Sequence, residues 1–424
     1  MNKVLKILAV NVSDASGGAA RAAYRIHNAV RSLDVNSRML VKNKCTEDDD
    51  VLTILDFDKK NIFSPVFRFI QHKIKNKLQQ ARWRQYPNKE DVFLSDLRST
   101  SLHGALQKID YDILHLHWIN LRFLDLNGLK RVRKPIVWTL HDCWPFTGVC
   151  HYFYDCERYK TSCGTCPFLH SCNNNDLSYK IWKRKKKIYS SLNLHIVTPS
   201  RWLAEAVRQS NLFSKFPVTV IPNAIDTDVF SPGNRMEACA ALELDCNKKY
   251  ILYGAMNAVK DRNKGFDKLL DAIMFLEQNL NVNEVELLIV GADKPIEELQ
   301  TKIPIRYLGV LNADTRMVSA YRVADVIVVP SLSENLSNTI MESLSCGTPV
   351  VAFNIGGNSD MIDHKQNGYL VQNFDPKELA EGVKWCVENN EDIGLQVNAR
   401  AKVLKNFSEK KVAQQYNRLY ESLI

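Results

Sequence analysis

Two carboxylates eight residues apart are the side chains in this sequence whose type and spacing most directly suggest chemistry. Glu334 and Glu342 enclose the stretch ENLSNTIME: an apolar strand ends shortly before Glu334, and Glu342 lies two turns along the helix that follows. A carboxylate accepts hydrogen bonds from two vicinal hydroxyls, as in ribose recognition by Rossmann-type proteins. The pair therefore predicts that one carboxylate contacts a reacting sugar and the other a diol. Ordinary surface charges are the alternative interpretation.

Two further stretches could bind an anion. Gly17 and Gly18 follow the first predicted strand and precede the first helix, where glycine lets backbone N–H groups approach an anionic group at a helix N-terminus. Lys264 and Gly265 stand at a predicted helix start in RNKGFDKLL, where a cation beside free amides can bind a diphosphate. A simple β-α turn and a solvated lysine are the alternatives.

Histidines stand at the ends of two consecutive predicted strands, in HLHW and TLHD. Strand ends of this kind face the ligand-binding side of a parallel sheet. We interpret His115 as a hydrogen-bonded core imidazole. His141, which is followed by Asp142 and a turn of polar and aromatic residues, is the better candidate for a contact with substrate.

Short apolar runs alternate with helical segments along the whole chain, which is typical of a parallel sheet covered on both faces. The pattern runs from KILAVNV to VTVIPNA and restarts at KYILYGAM after a loop near residue 230. With 424 residues and 45% hydrophobic residues, two domains are expected. We predict an α/β fold of two Rossmann-like doubly wound domains facing a central cleft. The predicted ranges are 1–228, 229–405 and a final helix, 406–424, that packs back on the first domain.

The later half of the chain resembles the retaining glycosyltransferases of family 4. The resemblance is carried by RNKG, SENLSNTIMES, CGTPVVAFNIGG and NGYLV, in which the two glutamates match the family's E-x7-E signature. VTPSRWLA and VIPNAID fit the family's domain junction, so the resemblance covers essentially the whole chain. TLHDCWPFTGVCHY and the cysteines after it resemble transferases of exopolysaccharide, colanic acid and O-antigen (lipopolysaccharide) assembly.

This resemblance implies a GT-B fold, with the acceptor on the first domain and a nucleotide sugar mainly on the second. Glu334, Lys264 and His141 would be catalytic: Glu334 contacts the donor sugar, Lys264 binds the diphosphate and offsets leaving-group charge without a metal, and His141 bonds the sugar or its transition state. The donor would also be bound through ribose hydroxyls, phosphates and backbone amides, by Gly17, Gly18, Asn335, Leu336, Ser337 and Glu342.

One position departs from the family. The family usually has an arginine six residues before the lysine, and Ala258 occupies that place here. Lys260 or Arg262 lies in the same loop, and Arg262 is retained as a donor-binding candidate.

A cysteine-rich loop spans residues 143–172. Cys150, Cys156, Cys163 and Cys166 lie within 17 residues and end in a C-x2-C pair, a set that can close a tetrahedral zinc site. Because a long polar loop inside a compact domain needs something to fix it, we expect structural zinc, with free buried thiols as the alternative. Four thiolates leave no open position, so the zinc would not be catalytic.

The net charge of +9 points to anionic partners. The stretch from Phe63 to Arg84 has an apolar helical face surrounded by cations, and YKIWKRKKKIY adds Lys180, Lys183, Arg184, Lys185, Lys186 and Lys187. Either could contact an anionic membrane surface or simply be a solvated basic rim. No window has the 18 apolar residues of a membrane span, so we expect a cytoplasmic protein, peripheral at the inner face of the cell membrane.

The function expected from these observations is retaining sugar transfer, of hexosyltransferase type, from a nucleotide sugar to a lipid-linked oligosaccharide in cell-surface polysaccharide biosynthesis. A sugar-nucleotide epimerase or hydrolase of the same architecture is the alternative. A zinc-containing nucleic-acid-binding protein is a third, which leaves the two carboxylates unexplained, and nucleic acid is not an expected partner.

Overall fold

The computed structural model describes residues 4–57, 84–90, 102–121, 123–254, 259–292, 299–311, 314–390 and 393–424. The chain divides into two compact units. The first takes the chain up to Thr198, Leu203–Val220 and Asn417–Ile424, and the second takes Pro199–Trp202 and Ile221–Tyr416. Ala258 and most of the predicted amphipathic helix after Phe63 lie outside the described residues.

The first unit is built on a seven-stranded parallel sheet in the order β3-β2-β1-β4-β5-β6-β7. Its strands are β1 (Lys6–Ser13), β2 (Asn36–Asn43), β3 (Val51–Thr53), β4 (Ile113–Leu116), β5 (Ile136–Thr139), β6 (Leu194–Thr198) and β7 (Val218–Val220). The connections contain α1 (Gly18–Arg31), α2 (Leu102–Leu106), α3 (Leu177–Tyr189) and α4 (Arg201–Gln209). The first two residues of α4 belong to the second unit.

The second unit is built on a six-stranded parallel sheet in the order β10-β9-β8-β11-β12-β13. Its strands are β8 (Lys249–Gly254), β9 (Val285–Val290), β10 (Ile305–Gly309), β11 (Val326–Val329), β12 (Val350–Phe353) and β13 (Gly368–Val371). Its helices are α5 (Arg235–Leu242), α6 (Phe266–Leu276), α7 (Asp314–Val323), α8 (Asn338–Ser345), α9 (Asn358–Met361), α10 (Pro376–Asn389), α11 (Ile393–Asn406) and α12 (Glu409–Glu421), whose last residues belong to the first unit.

Central strand β11 shows why the sheet of the second unit is covered on both faces. All four of its residues are buried: Ile327 and Val329 pack into one apolar cluster, and Val326 and Val328 into another. Successive side chains of a strand point to opposite faces, so a strand apolar at every position needs helices on both sides. Burying each such side chain contributes about 1.5–3 kcal/mol. The prediction of two doubly wound α/β units is confirmed.

Local signals fix the helices that matter for the site. Helix α8 begins after Ser337, whose hydroxyl oxygen accepts from the Ile340 N–H, and α10 begins after Asp375, whose carboxylate accepts from the Lys377 N–H. Such an N-cap is worth about 1 kcal/mol. Among the described residues, no helix combines the length and apolar character needed to cross a bilayer.

Candidate functional sites

The strand order of the first unit reverses direction between β1 and β4, which are neighbours in the sheet. At such a switch point the loops after the two strands diverge and leave space for a ligand at their carboxyl ends. Gly17 follows β1, His117 follows β4, and His141 follows the adjacent strand β5. The topology therefore groups two of the predicted positions, and His117 with them, at one edge of this sheet.

Gly17 has a backbone conformation that only glycine adopts readily, with φ 95° and ψ 167°. A β-carbon placed there would meet no atom within 4 Å, so the backbone angle and not crowding requires glycine. Helix α1 starts at Gly18, directly after it. The N-terminal amides of α1 thus stand next to a residue without a side chain. An anion-binding turn needs this arrangement, and anion binding here stays a prediction.

The ends of β4 and β5 are connected by three side-chain pairs, each 24 residues apart. His115 Nε2 lies 2.8 Å from Thr139 Oγ1, His117 Nδ1 lies 3.0 Å from His141 Nε2, and Trp118 Nε1 donates to Asp142 Oδ2 at 2.7 Å. The sequences HLHW and TLHD therefore contact each other nearly residue by residue. The common 24-residue spacing was a signal in the sequence that could have identified His117 and Trp118 as partners of this turn.

Burial keeps these imidazoles neutral. It lowers the pKa of His141 to about 4 and that of His115 to about 3, and it lowers the pKa of His117 well below its usual range. His115 has a further contact, since its Nδ1 lies 2.8 Å from the hydroxyl of Tyr420. This fits the interpretation of His115 as a core imidazole, whereas His141 is only partly buried.

The loop after β5 is held by a lysine that the sequence pattern placed among the basic surface residues. Lys185 is fully buried, and its ammonium donates to the carbonyl oxygens of Trp144 and Thr147. The ammonium also lies 3.7 Å from the centre of the Trp144 ring. Lys185 is four residues after buried Ile181 and three before buried Ile188, so the 3.6-residue period already placed it on the apolar face of α3.

The four predicted zinc ligands surround one small pocket. Cys150, Cys156, Cys163 and Cys166 all line it, and all eleven cysteines of the chain are free thiols. The Cys163 thiol accepts from the N–H of Gly148 at 3.0 Å. Within the described part of the chain, no group of three or more His, Cys, Asp or Glu side chains has the arrangement of a metal site.

In the second unit the strand order reverses between β8 and β11. Lys264 lies in a short 3-10 turn after β8, and Glu334 lies in the turn after β11. The Lys264 ammonium and the Glu334 carboxylate are 3.3 Å apart, and both side chains are largely buried. The carboxylate raises the pKa of Lys264, so the lysine is charged at neutral pH. Two predicted catalytic residues therefore meet at the switch point of this sheet.

The turns at this edge are in direct backbone contact. A β-carbon on Gly265 would overlap the carbonyl oxygen of Pro330, and one on Gly356 would overlap that of Glu334. Asn263 links the same turns, because its side-chain amide donates to the Ser333 carbonyl at 2.9 Å. The position of the Lys264–Glu334 pair is thus set by packed main chain.

Asn335, Leu336 and Ser337 form the approach to α8. The side-chain oxygen of Asn335 accepts from the Ser200 hydroxyl at 2.8 Å, and its carbonyl accepts from the Gly357 N–H at 2.8 Å. Leu336 is buried in the core. These contacts fix the first turn of α8, whose N-terminus follows Glu334 by four residues.

Glu342 is a buried carboxylate, 3% exposed, and its Oε2 accepts from the Tyr321 hydroxyl at 2.8 Å. A buried carboxylate needs such donors, because burial without them is costly. Tyr321 lies on α7 and was not predicted; the contact joins two helices, so no local periodicity reveals it. Arg262 and Lys260 are exposed.

Comparisons with known proteins agree with these features. The family model described as Glycosyltransferase Family 4 matches residues 16–229, and that described as Glycosyl transferases group 1 matches residues 247–389. An uncharacterized glycosyltransferase of Methanocaldococcus jannaschii is 25% identical over 75% of this chain and 77% of its own length. The putative colanic acid biosynthesis glycosyl transferase WcaC of Escherichia coli is 24% identical over 64% of this chain and 66% of its own.

Solved structures share this fold. A glycosyltransferase from Rickettsia africae aligns with a TM-score of 0.67 at 16% identity, covering 99% of this chain and 98% of its own. HepE of Anabaena, solved in complex with UDP-glucose, aligns with a TM-score of 0.65 at 18% identity, covering 99% of this chain and 100% of its own. At these identities the likeness concerns the fold.

Proposed function

This chain belongs to glycosyltransferase family 4 and has the GT-B fold, and from that premise we propose that it transfers a sugar with retention of configuration from a nucleotide sugar to a lipid-linked oligosaccharide. The observation that carries the proposal is the Lys264–Glu334 pair at the switch point between β8 and β11. A cation and a carboxylate at that edge have complementary tasks in sugar transfer, one at the leaving diphosphate and one at the sugar.

Lys264 offsets the negative charge that develops on the leaving diphosphate. Its ammonium is held in a largely buried turn, where an electrostatic contact is stronger than in water. Before donor binding Glu334 neutralises this ammonium. When a diphosphate approaches, the lysine exchanges part of that contact for phosphate oxygens, and the Glu334 carboxylate becomes available to sugar hydroxyls. With this cation and the amides of α8, the proposed transfer needs no metal ion.

Glu342 binds the ribose of the donor. Because the Tyr321 hydroxyl fixes its Oε2, the carboxylate is held in one orientation, which suits bidentate recognition of a diol. In the first unit, Gly17 and Gly18 suit an anionic group at the N-terminus of α1, and His141 offers a neutral imidazole to a sugar hydroxyl.

The proposed partners follow from the charge and from the relatives. HepE of Anabaena holds UDP-glucose in its solved complex, which supports a nucleotide sugar as donor here. The name of the WcaC relative supports an acceptor in cell-surface polysaccharide assembly. Four lysines on α3 are exposed and fit an anionic, cytoplasmic membrane face: Lys180, Lys183, Lys186 and Lys187.

The proposal is tested first by donor binding. UDP-, GDP- and ADP-sugars are added to the wild type and to Glu342→Gln, and the thermal midpoint is followed. A ligand that binds the native state stabilises it by RT ln(1 + [L]/Kd), so one nucleotide family should raise the midpoint of the wild type and raise that of the variant less. If no nucleotide sugar shifts the wild type, with or without lipid vesicles, nucleotide-sugar transfer is excluded.

Transfer is then measured with the donor found in this way and a lipid-linked oligosaccharide, and NMR of the product gives its anomeric configuration. Retention supports the proposal and inversion contradicts it. Sugar release or epimerisation in the absence of acceptor would identify a hydrolase or epimerase instead.

A further inference from the structure

His117 and His141 face each other nitrogen to nitrogen in the first unit. His117 Nδ1 lies 3.0 Å from His141 Nε2, the ring centroids are 5.3 Å apart, and the ring planes make an angle of 24°. Both backbone polar groups of His117 are hydrogen-bonded. Its N–H donates to the Val10 carbonyl, and its carbonyl accepts from the Trp138 indole. The His117 ring therefore contacts His141 from a fixed position.

This contact contains one shared proton. Two neutral imidazoles that meet through ring nitrogens need a donor on one side and a lone pair on the other, and either ring can be the donor. Because burial lowers the pKa of both histidines, both rings are neutral near pH 7. Each possible direction of the hydrogen bond fixes the tautomer of both rings.

The opposite side of the His117 ring favours one direction. Its Nε2 is buried and has no hydrogen-bond partner in the described part of the chain. If His141 were the donor, His117 would carry its own proton on Nε2, as a buried N–H that no acceptor of the described chain reaches. If His117 donates from Nδ1, its Nε2 is a bare acceptor. Buried N–H groups without an acceptor are rarer in proteins than buried acceptors without a donor. The arrangement in which His117 donates from Nδ1 is therefore favoured.

We propose that His117 is a positioning residue for His141: it donates from Nδ1 to His141 Nε2 and so fixes the His141 tautomer that carries its proton on Nδ1. The tautomer of a histidine is set by the hydrogen bond that its other nitrogen makes. Nδ1 of His141 is then a donor, which suits a sugar hydroxyl oxygen or a phosphate oxygen. The contact of His141 Nδ1 with a sugar or phosphate oxygen rests on the proposed sugar transfer. The assignment of the tautomer does not.

The tautomer is measured directly on the full chain labelled with 15N-histidine. Long-range 1H–15N spectra distinguish a protonated from a bare imidazole nitrogen, and the His141 signals are assigned by their absence in His141→Gln. We expect the proton of His141 on Nδ1 in the wild type at pH 7. A proton on Nε2 overturns the proposal.

Two substitutions at His117 separate positioning from mere folding. In His117→Asn the amide nitrogen takes the place of Nδ1 and continues to donate, so the His141 tautomer is retained. In His117→Phe the donor is lost, and the His141 proton redistributes between the two nitrogens. Equal tautomers in the two variants contradict the proposal. His195→Phe is the matched control, because His195 Nε2 contacts Thr219 Oγ1 at 2.8 Å across the next strand pair.

Kinetics test the functional half. With the donor and acceptor identified, His117→Phe should lower kcat about five- to tenfold, the equivalent of about one neutral hydrogen bond, while His117→Asn and His195→Phe stay within about twofold of the wild type. If His117→Phe alters the tautomer and leaves kcat unchanged, His117 has no part in transfer. If the tautomer is as proposed and no nucleotide sugar binds, the proposed function fails and the His117–His141 relationship stands.

Discussion

A β-carbon on Gly265 would overlap the carbonyl oxygen of Pro330. Gly265 directly follows Lys264, and Pro330 directly follows β11, the strand that leads to Glu334. The two turns whose side chains form the ion pair are therefore in contact through their main chains, with no room for a side chain between them. This contact makes the geometry of the pair depend on a residue that has no functional group.

Gly265→Ala should accordingly destabilise the protein and weaken nucleotide-sugar binding together. The φ of Gly265 is +67°, and Gly309 has the same φ with open space around it. Alanine in this left-handed conformation costs about 1–2 kcal/mol at either position. Gly265→Ala must in addition displace Pro330, so its loss of stability should clearly exceed that of Gly309→Ala. Chemical unfolding of both variants measures the difference, and equal losses would show that the overlap is relaxed without cost.

Lys264→Met should selectively weaken binding of the diphosphate. A hydrogen bond to a charged group is worth about 1.5–3 kcal/mol, so affinity for the matching nucleoside diphosphate should fall by roughly 10- to 150-fold. Calorimetric titration compares the nucleoside diphosphate with the nucleoside, whose affinity should hardly change. Lys268→Met, on the first turn of α6, is the matched control for loss of one positive charge. Equal weakening of nucleoside and diphosphate would place Lys264 elsewhere in the site.

Stability should fall as the pH is lowered from about 6.5 towards 4. Burial lowers the pKa of His27 and of His141 to about 4 and that of His115 to about 3. In the unfolded chain these groups take up protons from about pH 6.5 downwards, whereas in the folded chain they remain neutral. Each such histidine therefore lowers the free energy of unfolding by up to about 1.4 kcal/mol for each unit by which the pH falls in this window.

The urea midpoint, measured at pH 7 and pH 5, tests this dependence. His115→Gln keeps a polar side chain and removes one titrating group, so its midpoint should fall less on acidification than that of the wild type. His170→Gln, at an exposed position, is the control for the loss of one imidazole. A midpoint that rises on acidification would contradict the lowered pKa values.

We propose that the cysteine pocket binds one structural zinc ion. The four thiols line one pocket without yet having the arrangement of a metal site, so a zinc ion would draw them into tetrahedral coordination. It would also displace the thiol protons that burial retains, since burial raises the pKa of Cys163 to about 12. The buried ammonium of Lys185, on α3, donates to the Trp144 and Thr147 carbonyls of this loop and offsets part of the charge of a tetrathiolate site. Protein purified under reducing conditions without chelator should contain about one zinc per chain.

Metal analysis of two variants separates this site from chance binding. Cys163→Ser removes a residue of the pocket and should lose the zinc, whereas Cys172→Ser, at an exposed position in the same loop, should retain it. Wild-type protein free of zinc would exclude the proposal. Because a structural zinc ion takes no part in the proposed donor contacts, this outcome leaves the proposal of sugar transfer unaffected.

The sequence predicted the elements better than their arrangement. Apolar runs with turn residues between them located the strands, and SENLSNTIMES placed Glu334 before and Glu342 within a helix, as observed. Strand order cannot be read from such local patterns, since it depends on which strands pair. It is this order that makes β8 and β11 neighbours and brings Lys264 to Glu334.

Some residues of the site could not be identified from the sequence, because they make contacts between elements that are far apart in the chain. Tyr321 donates to Glu342 from another helix, and Gly356 packs against the carbonyl of Glu334. Neither contact can be inferred from the residue types alone. The burial of Lys185, by contrast, could have been predicted, because its spacing from the apolar residues of α3 places it on their face of the helix. The run of cations around it obscured that signal.

The hydrogen bond between His115 and Tyr420 spans 305 residues of sequence. Domains generally fold in the order in which the ribosome releases them, the N-terminal one first. Here the first unit includes Asn417–Ile424, so the whole second unit must be translated before His115 meets its tyrosine. The nascent chain therefore carries an N-terminal unit with an incomplete core until the second unit has been translated, and the unit that begins to fold first is completed after the other one.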